Sequence, residues 1–280
     1  MEGIDNNLKV RKAVFAGSFY PYESDELLQD LSSMFKSVKG ERVSEKILGL
    51  LSPHAGYIYS GQVSAEAYNQ IKGREYETVI IVAPSHREYF MGASVYGGDV
   101  YETPLGGIKI DKELAKLCTQ SNEKVYISNE GHGDEHSLEV QLPFLQFVLK
   151  EFKILPIVMG DQSYSSCTYL GMILGKFLKE RNVLAVASSD LSHFHNYNTA
   201  VKLDNHIISR VNNLDPEGLS RDLEQRKCEA CGGGPMMTVM YAAKLAGAKF
   251  SKVLSYKNSG DVTGDKWKVV GYLSAVIYGD

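Results

Sequence analysis

Histidines and one aspartate follow three apolar segments of the chain, and these residue types can bind metals or move protons. ILGLLSPHAGY (residues 47–57) contains His54, TVIIVAPSH (78–86) ends at His86, and NVLAVASSDLSHF (182–194) contains Asp190 and His193. A neutral imidazole is the commonest metal ligand, and its pKa near 6.5 also suits acid–base chemistry. The repetition predicts one shared site. The alternative is that each histidine serves only its own loop.

A cysteine before a glycine-rich helix start is a further candidate ligand. CEACGGGP (228–235) places Cys231 ahead of three glycines, and residues 235–246 have the pattern of a helix with Pro235 in its first turn. A thiol at a helix N-terminus has its pKa lowered by the dipole, which favours the thiolate for metal ligation or nucleophilic attack. The alternative is a buried free cysteine beside a tight turn.

A third stretch, GHGDEHSLEVQLPFL (131–145), concentrates titratable groups just before and within a predicted helix start: His132, Asp134, Glu135, His136 and Glu139. Acidic residues are expected there from the helix dipole alone. The functional alternative is that a carboxylate orients a ligating imidazole through its other nitrogen. The predicted pocket residues around the ligands are Asp134, Glu135, His136, Ser85 and Tyr57.

The elements that must position these groups follow from the apolar pattern. Residues 46–51, 78–83, 153–158 and 183–187 are rich in Ile, Val and Leu without alternation, which predicts strands covered on both faces. Helical spacing occurs at 24–35, 137–152 and 235–246. Alternating strands and helices predict an α/β fold, a single-domain three-layer α/β/α structure with a mainly parallel or mixed central sheet. Residues 250–258 and 267–279 predict a C-terminal antiparallel strand pair.

This architecture explains how distant side chains could share a site. In open α/β sheets, ligands bind in the crevice outside the carboxyl ends of the strands. His54, His86, Asp190 and His193 all lie just past predicted strand ends. The sheet is therefore expected to bring them together.

Composition narrows the classes of protein. A chain of 280 residues with 44% hydrophobic residues can bury a full core, and without repeats or linkers one domain over 1–280 is the simplest interpretation. The net charge of −4 argues against a nucleic-acid partner. No apolar segment is long enough to span a bilayer, so no membrane partner is expected. The N-terminal residues lack a signal-peptide core, and four cysteines suit a reducing compartment, so we expect a cytoplasmic protein.

Six motifs in a fixed order add a family resemblance. They are AGSFYP (16–21), PHAGYIYSG (53–61), APSH (83–86), DEHSLEVQLPFL (134–145), SSDLSHF (188–194) and CGGGP (231–235). From about Arg11 to the C-terminus the chain resembles the Memo family, whose fold is similar to the LigB-like class III extradiol dioxygenases. The resemblance implies metal ligands at His54, His86 and Cys231. It also implies pocket residues at Asp190 and His193, with His193 placed like the acid–base histidine of the dioxygenases.

The resemblance also carries expectations about partners. The human Memo protein is described as a regulator of cell motility that binds a phosphotyrosine-containing segment and copper or iron. Prokaryotic members often accompany a radical SAM protein and an AMMECR1-like protein, as the B component of that system. The expected partners are therefore a small molecule or peptide, and those two proteins. The C-terminal strands could also pair in a homodimer.

One departure from the dioxygenase pattern bears on the metal. Those enzymes hold Fe(II) with two histidines and a carboxylate, and Cys231 stands where the carboxylate would be. Three hypotheses follow. The protein is a redox enzyme with a single iron or copper ion, a zinc-dependent hydrolase, or a non-enzymatic module that binds a peptide or protein in the old pocket.

Overall fold

A large mixed sheet with helices on both faces organises the chain, and the computed structural model describes residues 8–43, 46–120 and 123–280. The strands are β1 (Val10–Arg11), β2 (Ile47–Ser52), β3 (Thr78–Pro84), β4 (Ala93–Tyr96), β5 (Val100–Thr103), β6 (Gly106–Lys109), β7 (Val125–Ser128), β8 (Lys153–Met159), β9 (Val183–Ser188), β10 (His193–His195), β11 (Phe250–Asn258) and β12 (Val269–Tyr278). The helices are α1 (Ser24–Lys36), α2 (Tyr57–Asn69), α3 (Lys112–Thr119), α4 (His136–Glu139), α5 (Leu142–Val148), α6 (Tyr164–Glu180), α7 (Tyr197–Asn212), α8 (Pro216–Glu224), α9 (Gly233–Leu245) and α10 (Ser259–Thr263).

The strand order confirms the predicted α/β class. Over the described residues the main sheet runs β10-β12-β2-β9-β3-β8-β4-β7, with β11 beside β12. Its centre, β2-β9-β3-β8, is parallel. Antiparallel pairs of β12 with β2 and of β4 with β8 make the whole sheet mixed. A small second sheet of β1, β5 and β6 was not predicted.

Both faces of the central strands are buried, as their continuous apolar runs predict. Along β3, Val79 and Ile81 pack into one apolar cluster with residues of α1, α2 and α5. The alternate residues Ile80 and Val82 pack into another cluster with residues of α6 and α9. Successive side chains of a strand point to opposite faces, so the sheet becomes the middle of three layers.

The predicted helix over 137–152 is two shorter helices, α4 and α5. Pro143 lies in the first turn of α5, where its missing N–H has no intrahelical partner to lose. In a continuous helix its ring would clash with the carbonyl of Glu139, four residues earlier, and α4 ends at that residue.

The C-terminal strand pair is confirmed, with one difference in its place. β11 and β12 are antiparallel from Phe250 paired with Tyr278 to Asn258 paired with Gly271. β12 also pairs with β2 and β10, so it lies inside the sheet, and of the predicted pair only β11 lies at the edge. No helix in the part of the chain that the structure covers has the length and apolarity of a membrane span.

The carboxylate of Glu139 binds the N-terminal segment to α4. It accepts hydrogen bonds from the backbone N–H groups of Val14 (3.1 Å) and Phe15 (2.9 Å), the Tyr20 hydroxyl and the Arg11 guanidinium. The side chains of Glu139 and Arg11 are 0% and 5% exposed. This buried ion pair fixes the chain that lies over α4.

We expect Glu139→Gln to lower the free energy of unfolding by about 3–5 kcal/mol, because it leaves the Arg11 charge buried without its partner. Urea denaturation measures the effect. The matched control is Glu102→Gln, which breaks an exposed pair with Lys12 and should cost at most about 1 kcal/mol. Equal losses in the two variants would contradict a special role for Glu139.

The buried ring of His132 makes the free energy of unfolding depend on pH. Its Nε2–H donates to the Ser94 carbonyl (3.1 Å) and its Nδ1 accepts from the Tyr101 hydroxyl (2.7 Å), so the folded ring is neutral. Burial lowers the pKa of His132 to about 4. Between pH 6.5 and about 4 the unfolded chain therefore binds the extra proton, and stability falls as pH falls. The difference in pKa corresponds to about 3 kcal/mol.

We therefore expect the free energy of unfolding to depend less on pH between 6.5 and 4.5 in His132→Gln than in the wild type. Chemical denaturation at several pH values gives the slope. His206→Gln is the control for losing an exposed histidine. An unchanged slope in His132→Gln would show that other groups cause the acid response.

Candidate metal centre

Three imidazole rings meet at the carboxyl edge of the sheet. His54 follows β2, His86 follows β3, and His136 begins α4. One ring nitrogen from each of the three lies within 4.8 Å of the others. The ring centroids are 5.1 Å apart for His54 and His86, 5.3 Å for His54 and His136, and 4.8 Å for His86 and His136. We call these three residues the histidine cluster. His54 is buried, and the other two rings are partly exposed.

Hydrogen bonds below His54 determine which of its ring nitrogens carries the proton. The Gln141 Nε2 donates to the Pro53 carbonyl (2.9 Å) and to the Ser188 Oγ (2.8 Å). The Ser188 hydroxyl donates its own proton to the Ser137 carbonyl (2.6 Å). Ser188 Oγ can then only accept from His54 Nδ1, 2.9 Å away. The Nε2 of His54 is therefore left with a free lone pair.

The carboxylate of Glu135 orients the other two rings. Its Oε1 accepts from His86 Nδ1 (2.9 Å) and lies 3.4 Å from His136 Nδ1, and its Oε2 accepts from the His86 backbone N–H (2.6 Å). Burial would raise the pKa of Glu135, but the hydrogen bonds from His86 outweigh it and lower the pKa to about 2. An ionised carboxylate only accepts hydrogen bonds, so the Nε2 of His86 is also free to bind a metal.

Two histidines of the cluster, His54 and His136, have lowered pKa values that favour the neutral ring. Burial lowers the pKa of His54 well below its ordinary value, and the neighbouring rings of His136, His86 and His193 lower it further. Burial also lowers the pKa of His136 to about 4, against the opposing effect of Glu135. Neutral imidazoles are the form that binds metals.

Cys231 lies beside the cluster, with its Sγ 3.0 Å from the Nε2 of His54. The Asp190 backbone N–H donates to the same sulfur (3.3 Å). Burial, and then the Asp190 carboxylate, raise the pKa of the Cys231 thiol. The expectation of a lowered pKa is therefore wrong, because desolvation outweighs the hydrogen bonds from Asp190, Ser189 and Gly232 that favour the thiolate. A neutral thiol donates its proton to His54 Nε2.

The loop of Cys231 is held in place by contacts that the sequence analysis missed. Gln162 donates to the Cys231 carbonyl (2.8 Å) and accepts from the Gly234 backbone N–H (2.8 Å). At Gly232 a Cβ would lie 2.2 Å from the Ser188 carbonyl oxygen, so only glycine fits the approach of this loop to β9.

Asp190 and His193 occupy different places in the site. The buried Asp190 Oδ1 accepts from the His54 backbone N–H (2.8 Å), so it shapes the loop that carries His54. Burial raises the pKa of Asp190 to about 7, against the lowering by the N–H groups of His54 and Ala55. His193 is partly exposed and close enough to affect the pKa of His54, but it lies outside the histidine cluster.

The remaining predicted pocket residues differ in how close they lie to the histidine cluster. Glu135 takes the predicted role of a carboxylate that orients an imidazole, and His136 lies among the candidate ligands rather than behind them. The Ser85 hydroxyl donates to the Glu88 carbonyl (2.6 Å) within its own turn. Tyr57 is buried and donates to the Val140 carbonyl (2.8 Å). Asp134 is exposed.

Comparison with known proteins identifies the class to which this fold and site belong. The family model described as "Memo-like protein" matches residues 11–276. The chain belongs to the Memo family. A MEMO1 family protein of Methanocaldococcus jannaschii is 37% identical over 285 residues, covering 96% of this chain and 99% of that protein. A MEMO1 family protein of Nitrosopumilus maritimus is 38% identical over 268 residues, covering 94% and 98%.

One solved structure shares the fold. The crystal structure of an uncharacterized protein from Escherichia coli K12 superposes with a TM-score of 0.54 at 14% sequence identity. The match covers 83% of this chain and 100% of that chain. At this identity the likeness concerns the fold alone.

We expect Glu135→Gln to weaken divalent metal binding about 10–100-fold, because the group that orients two candidate ligands loses its charge. Competition between the protein and a chromophoric chelator for Co²⁺ measures the affinity. Glu130→Gln, an exposed acid whose carboxylate accepts from Tyr126 and Ser128, is the control. Equal affinity in the two variants would rule out a role for Glu135 in holding the ligands.

Proposed function

We propose that this protein is a redox metalloenzyme with a single iron or copper ion, acting on a small molecule or peptide. His54, His86 and His136 would supply imidazole ligands, and Cys231 a thiolate. The observation that carries the proposal is the convergence of three imidazoles, one ring nitrogen of each within 4.8 Å of the others. Behind His54 and His86, Nδ1 is occupied by Ser188 and Glu135.

The ring nitrogens and the carboxylate of Glu135 favour a metal site over a cluster with only a structural role. Imidazole nitrogens that converge within 4.8 Å of one another can act together as ligands of one cation. The buried carboxylate of Glu135 supplies negative charge directly behind two of the rings. A cation held by the rings would interact favourably with that charge.

The contact between the Cys231 thiol and His54 supports including Cys231 among the ligands. The Cys231 thiol donates its proton to the lone pair of His54 Nε2. If these two atoms held a metal together, the thiol would give up this proton and bind as a thiolate. Metal affinity should therefore rise with pH, because binding releases this proton.

The exposure of the rings indicates where a substrate reaches the site. His54 lies at the buried floor, whereas the side chains of His86 and His136 are 29% and 16% exposed. Bound iron or copper would supply one-electron and oxygen chemistry at this opening. His193, partly exposed and close enough to affect the pKa of His54, would hold or move a proton, and Asp190 keeps the His54 loop in position.

A zinc-dependent hydrolase is the second candidate, because imidazole and thiolate donors are also the common ligands of zinc. The Cys231 sulfur beside His54 favours it. Zinc-bound water is acidified toward neutral pH and can attack an ester or amide. The two candidates use the same residues and differ in the metal.

Elemental analysis of the purified protein distinguishes the redox metalloenzyme from the zinc-dependent hydrolase. The protein is purified anaerobically without a metal-affinity tag, as wild type and as His54→Ala, His86→Ala, His136→Ala and Cys231→Ser, with circular dichroism to confirm folding. We expect near-stoichiometric iron or copper in the wild type and loss of the metal in all four folded variants. His195→Ala, whose ring pairs with Glu229, is the control and should retain the metal.

Three other results of the elemental analysis would each change the proposal. Zinc in the wild type, with no oxygen consumption, would replace the redox proposal with hydrolysis. Retention of metal in His136→Ala alone would reduce the ligand set to His54, His86 and Cys231. A wild type that stays metal-free after anaerobic reconstitution would overturn both enzyme candidates and leave a module that binds a peptide or partner protein.

A further inference from the structure

A buried carboxylate lies beneath the segment that carries His193. Asp204 of α7 is 0% exposed. Its Oδ1 accepts from the Ser192 backbone N–H (3.0 Å) and its Oδ2 from the Tyr256 hydroxyl of β11 (2.7 Å). Within the described residues it has hydrogen bonds but no salt bridge. Burying a carboxylate without a cation is costly, so its presence calls for a reason other than stability.

The sheet is built around this carboxylate. A Cβ at Gly271 of β12 would lie 2.1 Å from Asp204 Oδ2, so only glycine leaves room for the carboxylate there. The same glycine donates its N–H to the Ser192 carbonyl (3.0 Å) and accepts from the Leu191 N–H (2.8 Å). The backbone of residues 191–192 is thus held from one side by β12 and from the other by Asp204.

The backbone just beyond this anchor is strained. The pairing of β10 with β12 shifts register between His193 and His195, which marks a bulge at Phe194. Phe194 has φ 61°, in the left-handed region, and its side chain is 69% exposed. This conformation is strained for an aromatic residue, because its Cβ comes too close to the following carbonyl oxygen. Such strain persists only where surrounding contacts enforce it, and bulges near active sites turn a side chain in a new direction.

We infer that Asp204 is a positioning residue for His193. Its hydrogen bond to the Ser192 N–H fixes the backbone immediately before His193. This hydrogen bond and the bulge at Phe194, immediately after His193, together turn the His193 ring toward the histidine cluster. The inference rests on the proposed function in one respect, namely that His193 is the residue that holds or moves a proton. The anchor itself is independent of which metal binds.

The chemistry of Asp204 gives a specific way to separate positioning from general stability. Asparagine is nearly the same shape, and its Oδ1 can accept from Ser192 while its Nδ2 donates to the Tyr256 oxygen. Alanine makes neither bond. If Asp204 acts by fixing the backbone, Asp204→Asn should preserve the orientation of His193, and Asp204→Ala should lose it.

The experiment uses the full-length, metal-free protein labelled with ¹⁵N-histidine. The ring signals of His193, assigned with His193→Gln, are recorded by NMR, and the rate of His193 modification by diethyl pyrocarbonate is measured by mass spectrometry. Asp222→Ala is the matched control, since Asp222 is also a buried carboxylate but binds Arg210 (2.7 Å) instead. Thermal unfolding is followed in every variant.

We expect Asp204→Ala and Asp222→Ala both to lower the unfolding temperature. Only Asp204→Ala should shift the His193 ring signals and raise its modification rate several-fold, and Asp204→Asn should restore both. If Asp204→Ala leaves His193 as in the Asp222→Ala control, Asp204 is only structural and the inference is wrong.

A milder variant keeps the test decisive if Asp204→Ala does not fold. Tyr256→Phe removes one of the two hydrogen bonds to Asp204 and should move the same His193 readouts by a smaller amount. Its control is Tyr76→Phe, since Tyr76 is a buried tyrosine whose hydroxyl donates to the Ile47 carbonyl (3.3 Å). Unchanged His193 readouts in Tyr256→Phe would then overturn the inference. Because no metal is present, failure of the proposed function would not affect this result.

Discussion

The buried carboxylate of Glu135 is the interaction on which the candidate site depends. It joins two segments about 50 residues apart by accepting hydrogen bonds from the ring and backbone of His86 while it faces the ring of His136. Its own backbone carbonyl accepts from Arg11 (2.8 Å). The Ser137 hydroxyl of α4 adds a second polar contact, to the Pro84 carbonyl at the end of β3 (2.9 Å). The relative positions of His86 and His136 therefore depend on Glu135, whereas Ser188 and Asp190 hold His54.

The single turn of α4 carries two such anchors with different functions. Glu135 at its start faces the site, and Glu139 at its end faces the N-terminal segment and its guanidinium, Arg11. That segment in turn places the ring of Phe19 against His136, with ring centroids 4.5 Å apart. One short helix thus connects the histidine cluster to a covering segment. Pro143, just beyond, keeps it short because a longer helix would clash with the carbonyl of Glu139.

Membership of the Memo family and the shared α/β fold do not by themselves specify a reaction, since one fold hosts many chemistries. The local electrostatics are more informative. Burial lowers the pKa of His54 and raises that of Cys231, so both groups are neutral before a metal arrives. If Cys231 lost its proton on binding a metal, as the proposed function requires, metal affinity would be coupled to proton release. That coupling would distinguish the site from one with two histidines and a carboxylate.

The sequence alone determined the sheet, its buried central strands, and the common edge at which His54, His86 and Asp190 lie. Apolar runs and helical spacing are local patterns that predict strands and helices. Because the carboxyl ends of parallel strands lie at one edge of the sheet, residues that follow those strands are expected to lie close together. Only the tertiary structure decided that His136 joins the cluster, and that Ser188 and Glu135 orient the rings. It also decided that Cys231 has a raised rather than a lowered pKa. These outcomes depend on side-chain direction and desolvation between distant segments, and no local pattern of residues encodes either.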